Sequence, residues 1–259
     1  MSEPRSGPPP DGGQGRPKPK KGTQRLDAFL ARAGLASRRE ARGLIRRGEV
    51  RVDGEICRDP GRRIAREAVS LGGKGIESPS AQRDFLLHKP VGLACSHDER
   101  ESPLVFDLLS ERLRRRGLRI AGRLDRATSG LLILTSDGAL VHRLTHPARK
   151  LPKRYRIELD GELAADAVRR CAEGLLLPGE ERATRPAELQ LDGPGRATLV
   201  LREGRTHQVR RMMRALGAEV VGLHRDRIGD LDLPEDLGPG ELRPLEPEER
   251  ALLLSERSL

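Results

Sequence analysis

Between Gly122 and Gly130 the chain reads GRLDRATSG, a polar loop with one carboxylate, Asp125, flanked by Arg123 and Arg126. The apolar run of residues 131–134 follows at once, so this carboxylate stands at the mouth of a buried, rigid element where its surroundings can be tuned. Such a group can serve as a nucleophile or a base, provided a nearby cation keeps it ionised against burial. From residue type alone the bland reading is the stronger one, because a loop Asp is usually a turn former or helix cap. Other constellations carry less. His142 and His146 are i,i+4 apart, but the residue after the first His is Arg143, where a zinc-protease helix has Glu. Gly73-Lys74-Gly75 lacks the upstream glycine spacing of a phosphate loop and the Ser or Thr after its Lys. Cys57, Cys95 and Cys171 are widely separated and odd in number, so neither a disulfide framework nor a Cys-pair zinc site follows. No metal and no cofactor are expected.

The elements that must hold the Asp125 loop are strand-rich. Phe85-Leu86-Leu87 is a short apolar run that stops at Lys89-Pro90, residues 131–134 read as a strand buried on both faces, and residues 154–159 and 197–201 read as two more. Helices are expected over 139–144, 164–173 and 205–216. Interleaved antiparallel strands and helices make residues 83–259 one α+β domain.

Upstream, residues 25–72 read as a compact α/β module. Leu26, Phe29 and Leu30 recur at helical spacing and Gly34 ends that helix. Ser37-Arg38-Arg39-Glu40 is a capping box opening a second helix that stops at Gly48, and Asp53-Gly54 is a hairpin turn. The second helix carries Arg38, Arg39, Arg42, Arg46 and Arg47 against a single Glu, too unbalanced for i,i+4 pairing. A phosphate-binding face accounts for this better than a solvated one. A DNA-reading helix-turn-helix fits the helix pair but not the hairpin behind it. Residues 72–83 form a polar linker. Residues 1–22, rich in Pro, Gly and Lys, read as a disordered basic tail. The run Arg112, Arg114, Arg115 and Arg116 serves equally as a solvated helix end or a second RNA contact.

Forty-nine Lys and Arg against 39 Asp and Glu give a net charge of +10, which favours a polyanionic partner. Aromatic residues are scarce (Tyr155, three Phe and no Trp), so stacking platforms are few and phosphate contacts must do more. No apolar stretch is long enough to span a membrane and the first residues lack a signal peptide's apolar core, so a cytoplasmic protein without a membrane partner is expected.

Two resemblances sharpen these readings. The run RLDAFLARAGLASRREARGLIRRGEVRVDGE resembles the small RNA-binding domain named after a ribosomal small-subunit protein, whose helices and hairpin present a basic face to structured RNA. GRLDRATSGLLILTSDG is similar, nearly residue for residue, to the active-site signature of pseudouridine synthases. Lys89-Pro90-Val91-Gly92 looks like that family's early loop, Lys153-Arg154-Tyr155 like its second motif, and Glu203 to Met212 (EGRTHQVRRM) like its third, all in the expected order. The resemblance implies Asp125 as nucleophile, Tyr155 against the flipped base and Arg210 as the cation paired with Asp125. Arg123 would fill the gap left in the base stack, and Lys89, His207 and Gln208 would join the RNA contacts, the last two orienting their loop. His224-Arg225 resembles a late segment of the domain to which no chemistry is assigned.

The expected partner is ribosomal RNA or a ribosome-assembly intermediate, met by a monomer. Segments 207–212, 223–229 and 238–245 look closer to members acting on small-subunit (16S) RNA than to large-subunit (23S) ones. Two other classes stay open: a non-catalytic RNA-binding assembly factor, which needs no Asp125–Tyr155–Arg210 set, and a glycoside hydrolase, which would release free base or sugar.

Overall fold

The computed structural model describes residues 24–65, 67–76, 83–146 and 151–255. The expected basic tail, and residues 77–82 of the expected linker, lie outside the described residues.

The N-terminal module runs β1 (Gln24–Arg25), α1 (Leu26–Arg32), α2 (Arg38–Arg47), β2 (Val50–Val52), β3 (Glu55–Ile56), β4 (Arg63–Ile64), β5 (Val69–Leu71) and β6 (Lys74–Ile76). Leu26, Phe29 and Leu30 of α1 and Ala41 and Ile45 of α2 close on Val50, Val52 and Val69. The capping box forms in both directions: Ser37 Oγ accepts from the Glu40 amide, and the Ser37 amide donates to Glu40 Oε2 at 2.7 Å. Asp53 and Gly54 both adopt left-handed φ, +52° and +83°, as a two-residue type I′ hairpin requires. A second turn, at Gly72 and Gly73, folds β6 back onto β5. The first part of the polar stretch read as linker is therefore a hairpin strand; its composition hid a Gly-Gly turn.

The larger part runs β7 (Asp84–Lys89), α3 (Glu111–Arg114), β8 (Arg119–Ala121), β9 (Ser129–Thr135), α4 (Gly138–Thr145), β10 (Lys153–Asp160), α5 (Ala167–Glu173), β11 (Glu188–Gly193), β12 (Arg196–Leu201), α6 (Gln208–Ala215), β13 (Glu219–Ile228), β14 (Leu231–Asp232), β15 (Leu242–Pro244) and α7 (Pro247–Leu254). One sheet takes the order β11-β12-β10-β13-β9-β7-β15, with β8 on β9 and β14 on β13. Every pairing is antiparallel except β9 with β13, which is parallel and only two residue pairs long, Ser129 with His224 and Gly130 with Arg225. Two antiparallel halves thus meet at a short parallel seam. The α+β class expected from the sequence is the one found.

Each half buries its own core. Cys171, Leu199, Met212 and Met213 fill one under α5 and α6. The other half is packed on both faces, Leu86, Leu131 and Ile133 on one side and Phe85, Leu87, Leu132 and Leu134 on the opposite one. Residues 131–134 are fully buried, which is why they read as a continuous apolar run. Two helices are shorter than expected, beginning at Ala167 and Gln208; residues 205–207 form the loop before α6. The ten-residue strand β13 was not anticipated, because Arg225 occupies one of its core-facing positions and breaks the apolar alternation.

The two modules touch at α3. Gly34, at φ +72°, lies so close to the Arg112 carbonyl that a Cβ there would sit 2.3 Å from its oxygen, and Arg115 lies 3.9 Å from Glu40 of α2.

Candidate active site

The loop of residues 122–130 descends onto the parallel seam, and its two glycines have separate reasons to be there. Both have positive φ, +89° at Gly122 and +115° at Gly130. At Gly130 a Cβ would also lie 2.2 Å from the Arg225 carbonyl oxygen, so the close approach of β13 admits no side chain.

Two cations buried beneath this loop hold its carbonyls. Lys89, at the end of β7, is 0% exposed, and its ammonium donates to the carbonyls of Pro90 (3.0 Å), Asp125 (3.2 Å), Arg126 (3.3 Å) and Thr128 (2.8 Å). Arg225, 1% exposed, donates to Leu131 O through Nε (3.0 Å) and to Gly122 O (2.9 Å), with Arg123 O at 3.4 Å. Burial pushes the Lys89 ammonium below the ordinary lysine range; Cys95 and Asp125 pull it back in part. Lys89 was expected to contact RNA. The structure places the amine beneath the loop, turned to these four carbonyls and not to the surface.

Above the loop opens a cavity of about 670 Å³, lined among others by Arg123, Asp125, Tyr155, His207, Arg210 and Arg225. The three residues expected to carry catalysis and the expected wedge, Arg123, therefore share one cavity although they come from three separate segments. Tyr155 sits on β10 beside a bulge, where the register against β13 shifts between Arg154 and Tyr155, and it packs against the cores of both halves. Arg123 is exposed, and among the described residues its guanidinium makes no hydrogen bond or ion pair. Lys153 also lines the cavity; burial lowers its ammonium to about 8, with Arg225 adding a like charge, and it donates to Leu151 O at 3.1 Å.

The expected Asp125–Arg210 pair does not form. Arg210 donates instead to Val220 O (2.7 Å) and Ala127 O (3.0 Å), bracing the loop from the side. The group on the carboxylate is His207, whose Nδ1 lies 3.0 Å from Asp125 Oδ2. Gln208 was expected to orient its loop and to join the RNA contacts. It is 4% exposed, its Oε1 accepts from the Arg205 amide and its Nε2 donates to Glu203, so it orders the loop and has no amide left for RNA. Arg205 in turn donates to the carbonyls of Arg182 and Ala183, fixing this loop to its neighbour.

The exposed arginines of α2 are organised by a residue that the sequence reading passed over. Asp27, in the first turn of α1, is fully buried and accepts from Arg25 (3.1 Å) and Arg42 (3.0 Å), with Arg38 at 3.6 Å. Burial would raise its carboxyl; the arginine hydrogen bonds outweigh that and hold it below the usual range. Arg39, Arg46 and Arg47 project into solvent on the same helix, Arg47 paired with Glu49 at 2.6 Å. A carboxylate between two core residues of an amphipathic helix was the available signal for Asp27. For Arg225 it was an arginine at an inward position of a strand.

Among the described residues no cluster of three or more His, Cys, Asp or Glu could hold a metal ion, and no helix is long and apolar enough to cross a membrane. Residues 85–215 match the RNA pseudouridylate synthase family and residues 24–70 the S4 domain. The chain is 41% identical over 228 residues to the ribosomal small subunit pseudouridine synthase A of Escherichia coli K12, covering 88% of this chain and 98% of that protein. The protein of the same name from Vibrio cholerae is 40% identical, with the same coverage. A crystal structure of a pseudouridylate synthase superposes with a TM-score of 0.64 at 38% identity, covering 88% of this chain and 99% of the other.

Proposed function

The chain belongs to the RNA pseudouridylate synthase family, and from that premise we propose that it converts a uridine of small-subunit (16S) ribosomal RNA to pseudouridine with Asp125 as nucleophile. The observation that carries this reading is the cavity in which Asp125, Tyr155, Arg210 and Arg123 meet. The substrate rests on near full-length likeness to enzymes named for the small ribosomal subunit.

The reaction breaks the N1–C1′ bond, turns the uracil and joins C5 to C1′; the C5 proton leaves and N1 gains one. The Asp125 carboxylate attacks the sugar or assists elimination, dividing one hard step into easier ones. The buried Lys89 and Arg225 hold the backbone of its loop from below, Lys89 through the Asp125 carbonyl and Arg225 through that of Gly122. Tyr155 lies against the flipped base, and Arg123 enters the stack, offsetting an unstacking cost of a few kcal/mol. Arg38, Arg39, Arg42, Arg46 and Arg47 hold the RNA backbone from the N-terminal module. The domains are then a basic tail at 1–22, an RNA-binding module whose sheet runs on past the expected boundary at residue 72 to Ile76, and a catalytic domain at 83–259. The enzyme acts as a cytoplasmic monomer on ribosomal RNA or an assembly intermediate, and so takes part in ribosome biogenesis.

Two measurements test this. Asp125→Asn is expected to keep RNA binding while abolishing pseudouridine formation with no change in RNA mass; full activity in that variant would sink the assignment. Mapping pseudouridines in ribosomal RNA from cells with and without the protein is expected to show a loss in small-subunit RNA. A loss confined to large-subunit RNA overturns the substrate.

A further inference from the structure

We propose that His207 is the positioning residue for the Asp125 carboxylate, holding one oxygen so that the other faces the ribose; this rests on the pseudouridine synthase reading above. The contact is direct, Nδ1 to Oδ2 at 3.0 Å. An ionised carboxylate only accepts hydrogen bonds, so Nδ1 carries the proton and fixes the ring tautomer.

The backbone supports the same conclusion independently. His207 has φ +51° and ψ +31°, left-handed values that a side chain with a Cβ rarely adopts. It occupies the N-cap of α6, where a side chain ordinarily accepts from the first helical amides, yet His207 makes no such bond. Its ring is turned to Asp125 instead. The unusual backbone is over-determined by its neighbours: Gln208 accepts from the Arg205 amide, Arg205 grips the carbonyls of residues 182 and 183, and the Arg211 amide donates to His207 O at 3.0 Å. Arg210, the cation expected to pair with this carboxylate, has its hydrogen bonds on Val220 and Ala127. Steering of Asp125 is thus left to the histidine.

The test uses the full chain and a small-subunit RNA transcript tritiated at uracil C5, whose label is released as C5 joins C1′. Single-turnover rates and RNA affinity are measured for His207→Gly and His207→Asn. Glycine accepts the left-handed backbone and removes the ring; asparagine also tolerates that backbone and places an amide N–H near the Nδ1 position. Expected at saturating RNA are a rate loss of about 100-fold for the glycine variant, the scale of a misplaced reacting group, and substantial recovery in the asparagine variant; the affinity measurement separates any loss of RNA contact from this loss of rate. Thermal unfolding of the glycine variant at or above the wild-type temperature shows that the fold is intact. A glycine variant as fast as wild type, or an asparagine variant as slow as glycine, overturns the proposal while leaving the isomerase reading in place. A wild-type protein that binds the RNA and releases no tritium removes both.

Discussion

Lys89 and Arg225 withdraw their charge completely from water and direct it at the carbonyls of one loop, whereas the arginines of α2 keep theirs exposed around one buried carboxylate. The residue types are the same and the consequences opposite. A buried cation turned to carbonyls has no donor facing RNA; it fixes the loop that carries Asp125. Exposed guanidiniums around Asp27 retain donors and excess positive charge, which suits phosphate. Charge counted along the sequence therefore overstates the RNA-facing surface, and burial decides which cations belong to it.

The sharpest way to break this contrast is to remove the buried pair. In Lys89→Met, Thr128 O and Pro90 O lose their donor, while Asp125 O and Arg126 O keep the amides of Thr128 and Gly92. Two bare carbonyls at about 1–3 kcal/mol each predict a destabilisation of about 3 kcal/mol, with activity falling alongside. Arg225→Met, which strips Gly122 O and Leu131 O, is expected to behave alike. If either variant keeps its thermal stability and loses only RNA affinity, the buried cations belong with the exposed ones after all.

Replacing Asp27 by Asn attacks the other side. Its arginine partners stay partly in water, so the expected loss is about 1–2 kcal/mol, confined to the N-terminal module. The sign with pH follows from the lowered carboxyl. Its contribution is complete above the unfolded value near ~3.9 and disappears as pH falls through the lower folded value. Acid unfolding of the module below about pH 4 should therefore flatten in Asp27→Asn. Lys89 runs the other way: its lowered folded value penalises the protonated form, and stability recovers as pH climbs towards ~10.4.

A smaller effect is expected from Arg39→Gln combined with Arg46→Gln, two exposed α2 arginines outside the Asp27 cluster. RNA affinity should weaken and the slope of log K against log salt should flatten by roughly 2, about one per phosphate contact. The single-turnover rate at saturating RNA should not change. A lower rate with an unaltered salt slope would contradict a phosphate-binding role for α2.

These contrasts also show what the sequence could reveal. The capping box at Ser37, the Asp53-Gly54 turn and the strand at 131–134 were legible because local chemistry dictates each. The loop carrying Asp125 stood out for its glycine brackets and its resemblance to a known signature. The burial of Lys89 and Arg225 was not legible, since polar side chains read as surface until the fold supplies their carbonyl partners. The Asp125–His207 contact joins residues 82 positions apart, and no local pattern predicts such a pairing.

Lys153 stands between the two classes and gives the mildest test. It lines the cavity, half-buried, with its ammonium lowered to about 8 by burial and by Arg225, so most of its charge is present at neutral pH and lost above the titration point. If that charge helps to hold the incoming nucleotide, kcat/KM should fall by roughly fivefold as pH rises through this value, the scale of one weak phosphate contact. Lys153→Met should lower kcat/KM at neutral pH and remove the inflection while leaving the rate at saturating RNA intact. The stability consequence has its own sign: the deficit of burying a protonated Lys153 eases as pH rises from about 8 towards the ordinary lysine value, so the protein should gain stability where it loses affinity. Affinity and stability moving in the same direction across that window would place Lys153 with the buried loop-holding cations and not with the RNA-facing ones.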